Sequence, residues 1–263
     1  FKLPRDYQLD RSLQAVRAFA EEMIGHARER MRGAPGGSPG NLLEVMLALR
    51  DEPESGFSDE DVYANIMTLL LAGEDTTAYS LAWAMHILAG NAELQTQLHR
   101  AALDALGEAR VPMTFADTAK LALFEGVAFE AMRMRPVAPL NFLEANETTE
   151  LAGIEIPKGT PVFLLTRPAT LDDNNYQDAT DFKPERWAGR RENAREGHST
   201  RAFLQFGAGP RFCPGRYLAT LEMKMVLATL ARNFSIEHAE DPSLTQEVFA
   251  FTMMPSRLHL RLR

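Results

Sequence analysis

A single cysteine in 263 residues sits inside a loop rich in glycine and proline, Phe206-Gly207-Ala208-Gly209-Pro210-Arg211-Phe212-Cys213-Pro214-Gly215-Arg216, immediately before a strongly helical stretch. One cysteine excludes an internal disulfide framework and any multi-cysteine zinc or iron–sulfur site, so the interior is ordinary packing with or without a bound cofactor. A thiol at a helix N-terminus faces the positive end of the dipole and nearby backbone N–H groups, which lower its pKa and favour thiolate. Arg211 and Arg216 add positive charge. Such a sulfur suits a metal ligand or a nucleophile; the plainer alternative is a small cysteine buried beside a turn. A cysteine hydrolase needs a histidine partner, for which His198 and His238 are the candidates. A dinucleotide-binding reading of Gly207-x-Gly209 fails, because Phe212 stands where the third glycine belongs and Pro210 interrupts the turn.

The rest of the chain reads as mainly helical. Leu13, Val16, Phe19, Ala20, Met23 and Ile24 recur every three or four positions, predicting an amphipathic helix from Asp10 to Met31. The Gly33–Gly40 stretch, with two prolines, cannot continue it and reads as a surface connection. A short helix over Leu42 to Leu49 follows. Ser58, with acids at 59–61, opens a helix running to Ala89 and stopped by Gly90, on the order of 45 Å long at about 1.5 Å per residue. Further helices are expected at Ala92 to Leu106, Asp117 to Met134 and Gly215 to Arg232. Minor β-structure is expected as a hairpin over Ile154 to Leu164, turning at Pro157-Lys158-Gly159, and as short strands from Phe249 to Leu262. No apolar run approaches the roughly 20 residues that span a bilayer. A net charge of −8 argues against a nucleic-acid binder that depends on a globally basic surface, and the six histidines show no metal-ligand spacing. The start, Phe1-Lys2-Leu3-Pro4, has neither an initiator methionine nor a signal peptide's apolar stretch, so the chain reads as a piece of something longer.

Two further segments stand out. Ala72-Gly73-Glu74-Asp75-Thr76-Thr77 weakens the long helix in its middle: glycine costs about 1 kcal/mol relative to alanine there, and hydroxyl side chains can bond back to the preceding turn and bend the helix. Either another element packs closely over Gly73, or the site is a groove with an acid and hydroxyls that deliver protons to a bound small molecule. Glu130 and Arg133 share a helix face, which alone indicates a surface pair, and Phe182-Lys183-Pro184-Glu185-Arg186-Trp187 alone indicates a polar turn.

Taken together and in this order, the segments resemble the cytochrome P450 family of haem-thiolate monooxygenases. Phe206, Gly209, Arg211, Cys213 and Gly215 match the F-x-x-G-x-R-x-C-x-G haem loop. Ala72-Gly73-x-Asp75-Thr76 matches the oxygen-binding helix, Glu130-x-x-Arg133 the E-x-x-R helix, and Pro184-Glu185-Arg186-Trp187 the later arginine motif. The resemblance covers essentially the whole chain but only the C-terminal part of the family's fold, a mainly α architecture with a minor β-sheet and the N-terminal part absent. Residues 1–57 then precede the oxygen-binding helix at 58–90, with the E-x-x-R helix at 117–135 and the haem loop and its following helix at 203–232.

The resemblance implies a role for each matching residue. Cys213 is the axial thiolate to the iron of haem b, Arg211 pairs with a propionate, and Phe206 packs near haem and sulfur. Gly209 and Gly215 shape the loop. Gly73 leaves space for dioxygen, while Asp75 and Thr76 steer protons. Glu130, Arg133 and Arg186 form a structural network behind the loop. One departure is the absence of a basic residue between Pro136 and Lys158, where relatives often reach a propionate; Leu143 takes that place, which leaves Arg211 and residues outside this chain to hold the propionates. The implied activity is insertion of one oxygen atom from dioxygen into a small lipophilic substrate, the apolar lining coming from Met67 to Leu71 and Val137 to Phe142. Electrons come ultimately from NAD(P)H through a ferredoxin, flavodoxin or reductase domain docking near Arg211, Arg216 and Lys224. The resemblance carries no nucleic-acid partner and implies a cytoplasmic location, or an anchor on a missing N-terminal segment. The rival readings are a peroxide-driven peroxygenase and a truncated non-catalytic haem-binding or structural remnant.

Overall fold

The computed structural model describes residues 3–34, 36–187 and 199–263, in two compact units, Phe1–Glu74 and Asp75–Arg263. His198, one of the two histidines considered as a thiol partner, lies outside the described residues.

The first unit contains α1 (Pro4–Gly33), α2 (Leu42–Asp51) and the first half of α3 (Asp59–Ala89). Its small core joins Ala20 and Ala27 of α1 to Met46 and Leu47 of α2 and Val62 and Ile66 of α3. The predicted start of α3 is realised as a capping box: Asp61 N–H donates to Ser58 Oγ at 3.1 Å, and Ser58 N–H donates to Asp61 Oδ2 at 2.8 Å. Those bonds hold the Asp61 carboxyl below the usual carboxylate range, the Ser58 side chain contributing most. Arg28 and Arg50 both pair with Asp59 in the same first turn.

The second unit continues α3 and adds α4 (Ala92–Leu106), α5 (Phe115–Ala119), α6 (Ala122–Met134), the five-residue α7 (Thr166–Thr170) and α8 (Arg216–Asn233). Its core is formed by α4, α6 and α8 through Leu98, Ala102, Phe124, Val127, Ala128, Met223 and Leu227, all at most 1% exposed. The helix expected from Asp117 to Met134 is two helices. A capping box between Thr114 and Asp117 starts α5 at Phe115, and the chain breaks at Lys120 before the fully buried Leu121 leads into α6. Periodicity carried the reading across this break because Leu121 is apolar and in phase.

The minor β-structure consists of two-stranded antiparallel ribbons. Strands β1 (Leu140–Glu144) and β4 (Pro161–Leu165) pair with Phe142 opposite Phe163, and β2 (Thr149–Leu151) pairs with β3 (Ile154–Ile156). The expected hairpin over Ile154 to Leu164 is therefore corrected: its two halves belong to different ribbons. The tight turn that closes a hairpin is Ala152-Gly153, both at positive φ (51° and 82°). The Pro157-Lys158-Gly159 turn instead passes the chain from one ribbon to the other, tied down by Gly159 N–H to the Ala145 carbonyl at 2.8 Å. At the end of the chain β5 (Ile236–His238) pairs with β8 (Leu260–Leu262), and β6 (Glu247–Phe249) with β7 (Met253–Pro255). Among the described residues no helix is long and apolar enough to cross a membrane.

Candidate functional site

The loop carrying Cys213 is closed by its own backbone. Gly207 N–H donates to the Leu204 carbonyl at 2.9 Å, Phe212 N–H to Gly209 at 3.0 Å, and Cys213 N–H returns to the Phe206 carbonyl at 2.8 Å. Gly207 and Gly209 both stand at positive φ (71° and 65°), where a side chain would be strained, which is why the loop alternates glycines. Gly209 to Arg211 form a single 3₁₀ turn, and α8 begins at Arg216 with Gly215 as its N-cap. Cys213 is half-buried, and a Cβ on Gly215 would lie 3.8 Å from its sulfur. The Arg216 guanidinium lies over the rings of Phe206 and Phe212, at 5.6 and 5.4 Å from their centroids.

Behind the loop lies the most densely bonded group in the second unit. Glu130 and Arg133 are both fully buried. Arg133 donates Nε to Glu130 Oε2 at 2.9 Å and Nη2 to Oε1 at 2.8 Å, a bidentate fork. The same carboxylate accepts Lys183 N–H at 3.0 Å, Arg186 Nε at 3.1 Å and Trp187 Nε1 at 2.9 Å. The remaining guanidinium donors of Arg133 reach three backbone carbonyls, Thr170 at 2.6 Å, Ala179 at 2.7 Å and Asp181 at 3.1 Å. Thus neither buried charge is left unbonded. The pair is not a surface pair, and the Phe182–Trp187 segment is not simply a polar turn: Pro184–Trp187 is a 3₁₀ turn whose side chains complete the Glu130 shell.

Aromatic rings couple this network to the cysteine loop. Phe129, next to Glu130, packs against Trp187 and Phe203, each with ring centroids at 5.4 Å, and against Phe206 at 5.9 Å. Trp187 and Phe203 meet edge to face at 4.8 Å. One helix, α6, therefore carries the acid on one side chain and the ring that braces the cysteine loop on the next. Sequence reading singled out Phe206 but missed Phe129 and Phe203; Phe203 stands three residues before Phe206 and Phe129 adjoins the E-x-x-R motif, which was the available signal.

Gly126 was missed as well. A Cβ built there would meet the Pro184 carbonyl oxygen at 2.5 Å, well inside the contact distance of a carbon and a non-bonded oxygen. Gly126 is one helical turn before Glu130, so its bare backbone lets the 3₁₀ turn approach α6 closely enough for Lys183, Arg186 and Trp187 to reach the carboxylate. Replacing it by alanine gains about 1 kcal/mol of helix propensity, but forcing the elements apart costs about 1–3 kcal/mol before any lost bonds to Glu130 are counted. Gly126→Ala is expected to be net destabilising in urea or thermal unfolding, whereas Gly25→Ala, where a Cβ meets nothing within 4 Å, is expected to be neutral or stabilising.

In the middle of α3, Gly73 is exposed, and a Cβ there would meet no described atom within 4 Å. Asp75 and Thr76 are half-buried on the next turn. Ser80, buried at 3% exposure, donates its hydroxyl to the Thr76 carbonyl at 2.7 Å. This back-bond competes with the helix's own hydrogen bond at that carbonyl. The weak point inferred from composition thus extends one turn further than the sequence reading placed it, and Ser80, four residues after Thr76, was the unread sign.

The cysteine loop leaves room for the haem that the resemblance implies. It offers one sulfur at a helix N-terminus, open space at the Cβ position of Gly209, and the exposed Arg211, which makes no ion pair with any described residue. Among the described residues no group of three or more His, Cys, Asp or Glu side chains could hold a metal ion. His238, the remaining candidate partner for a cysteine nucleophile, is engaged instead by His86, its Nε2 lying 3.1 Å from His86 Nδ1.

Comparison with known proteins agrees with this reading. The family model described as Cytochrome P450 matches residues 4–262. Cytochrome P450 4V2 of Rattus norvegicus is 31% identical over 249 residues, covering 90% of this chain and 46% of the relative. Cyclooctat-9-en-7-ol 5-monooxygenase of Streptomyces melanosporofaciens is 33% identical over 234 residues, 89% of this chain and 49% of the relative. The crystal structure of a cytochrome P450 (CYP102L1) superposes with a TM-score of 0.81 at 30% identity, covering 99% of this chain and 58% of that one. The chain spans about half the length of the curated relatives it matches. It belongs to the cytochrome P450 family.

Proposed function

We propose, from that membership, that the protein of which this chain forms a part is a haem-thiolate monooxygenase that inserts one atom of dioxygen into a small lipophilic substrate. The observation that carries the reading is the Cys213 loop: a lone sulfur at a helix N-terminus, locked to Phe206 through its own N–H. Haem b supplies the iron that activates dioxygen, and a thiolate ligand favours O–O cleavage. Residues 203–232 hold the haem from the sulfur side, 117–135 brace that loop through Glu130, Arg133 and Arg186, and 58–90 form the oxygen-binding helix. Arg211 binds a haem propionate by a charge-assisted hydrogen bond. Gly73 would leave room for dioxygen beside α3, and the Asp75 carboxylate and Thr76 hydroxyl would supply protons there. The naming of the Streptomyces relative as a monooxygenase supports the reaction class.

Electrons come ultimately from NAD(P)H through a ferredoxin, flavodoxin or reductase domain. Of the three cations named for docking, Lys224 is paired with Glu125 at 3.2 Å and Arg216 is folded over two rings, which leaves Arg211 as the exposed one. The reading is tested with the intact protein, a reducing system and ¹⁸O-labelled dioxygen. The product should contain one labelled atom, and Thr76→Ala should consume electrons but divert them to hydrogen peroxide. Label entering only from water would overturn the reaction class; unchanged product yield per electron in Thr76→Ala would remove Thr76 from proton delivery.

A further inference from the structure

His86, in the last turns of α3, and His238, at the end of β5, join two elements distant in sequence. Their Nδ1 and Nε2 atoms are 3.1 Å apart, with the rings edge to face at 73° and centroids separated by 4.9 Å. Both are half-buried. At this distance one nitrogen carries the hydrogen and the other offers its lone pair. A first added proton leaves an imidazolium donating to an imidazole, which is still a bond. A second leaves two N–H donors and two like charges facing each other with nothing between them to accept.

The surroundings give those charges no relief. Trp83, 1% exposed, packs edge-on against His86 at 5.7 Å. From the end of α6, Arg135 lies over the Trp83 ring at 5.3 Å and adds positive charge on that side. Acids on the neighbouring elements have other partners: Glu247 of β6 pairs with Arg135 and Arg167, and Glu237 of β5 pairs with Arg263. Neither histidine makes an ion pair with a described acidic residue. Beside the pair, Gln95 of α4 stitches the Leu88 carbonyl of α3 to the Ile236 backbone of β5, a second link between the elements the histidines join.

We propose that the His86–His238 hydrogen bond is an acid-sensitive clasp, closed at neutral pH and opened by the second proton, that fastens the end of α3 to the β5–β8 ribbon. Burial first, then the His238 and Arg135 charges, hold the His86 imidazole below the ordinary histidine range. With the folded pKa below the unfolded one, the folded state takes up fewer protons as pH falls. The clasp's contribution is therefore whole above about pH 6.5 and lost below it. Because α3 also carries Asp75 and Thr76, opening removes one fastening at the C-terminal end of that helix, while Gln95 still joins Leu88 to Ile236.

The test follows histidine ring signals by NMR and amide exchange by mass spectrometry in the intact protein between about pH 7.5 and 5.5, where histidine titrates. The His86 midpoint should shift upward in His238→Gln, where the facing charge is gone. Amides at the end of α3 should lose protection on acidification beyond the intrinsic pH dependence of exchange, and His238→Gln should abolish that dependence. His99→Gln, whose ring bonds the Ala231 carbonyl instead, should leave it intact. A His86 midpoint unmoved in His238→Gln, or α3 protection indifferent to pH in the unsubstituted protein, overturns the clasp.

Discussion

Glu130→Ala is expected to destabilise the protein by about 3–5 kcal/mol, the usual cost of removing one partner from a buried charge pair. The reason is specific to what remains. Arg133, fully buried, would keep its three backbone carbonyl partners but lose its only counter-charge in the network, and Arg186, Trp187 and the Lys183 N–H would lose their acceptor together. Repacking cannot supply five hydrogen-bond acceptor positions from an alanine methyl. For a domain of this size each kcal/mol moves the melting temperature by roughly 2–4 °C, so a fall of roughly 6–20 °C in thermal unfolding is the expected reading. Glu130→Gln should fall between the two proteins: it keeps the shape but turns one end of the side chain into a donor that faces other donors. A loss below about 1 kcal/mol in Glu130→Ala, typical of an exposed ion pair, would show that the network carries little of the stability.

That network also shows where sequence reading runs out. Spacing placed Glu130 and Arg133 on one helix face, and the resemblance joined Arg186 to them, but nothing in the one-dimensional pattern distinguishes an exposed i,i+3 pair from a fully buried one. The distinction comes from tertiary approach, and the residue that permits it, Gly126, is silent in any periodicity because a glycine inside a helix reads only as a weakness. The same blindness explains the β-ribbons. Alternation located strands within Ile154 to Leu164, but a strand's partner is fixed by backbone pairing over distance, and the strand around Leu143 was reached only through the resemblance. By contrast α4 appears at Ala92–Leu106, as expected, because an amphipathic stripe between Asn91 and Gly107 contains its own start and stop. Local signals were legible; contacts made through backbone carbonyls, such as Pro184 against Gly126 or Thr76 against Ser80, were not.

Replacing Cys213 by serine is expected to abolish the thiolate signature of the haem-loaded protein altogether, an all-or-none change rather than a graded one. The chain contains no second cysteine to substitute as ligand, and the loop's closure does not depend on the sulfur: the bond from residue 213 to the Phe206 carbonyl is made by backbone N–H, and the positive-φ glycines at 207 and 209 are untouched. The loop should therefore fold, and unfolding stability should change little. Serine's hydroxyl is a far weaker ligand and is not ionised near neutral pH, so the long-wavelength Soret band that thiolate-ligated ferrous haem gives with carbon monoxide should disappear while haem absorbance persists. If the unsubstituted protein gives the band of a histidine-ligated haem instead, Cys213 is not the axial ligand. If Cys213→Ser loses both the band and the fold, Gly209→Ala separates the effects: it strains the loop at positive φ while leaving the sulfur in place, so the thiolate band should survive in whatever fraction still binds haem.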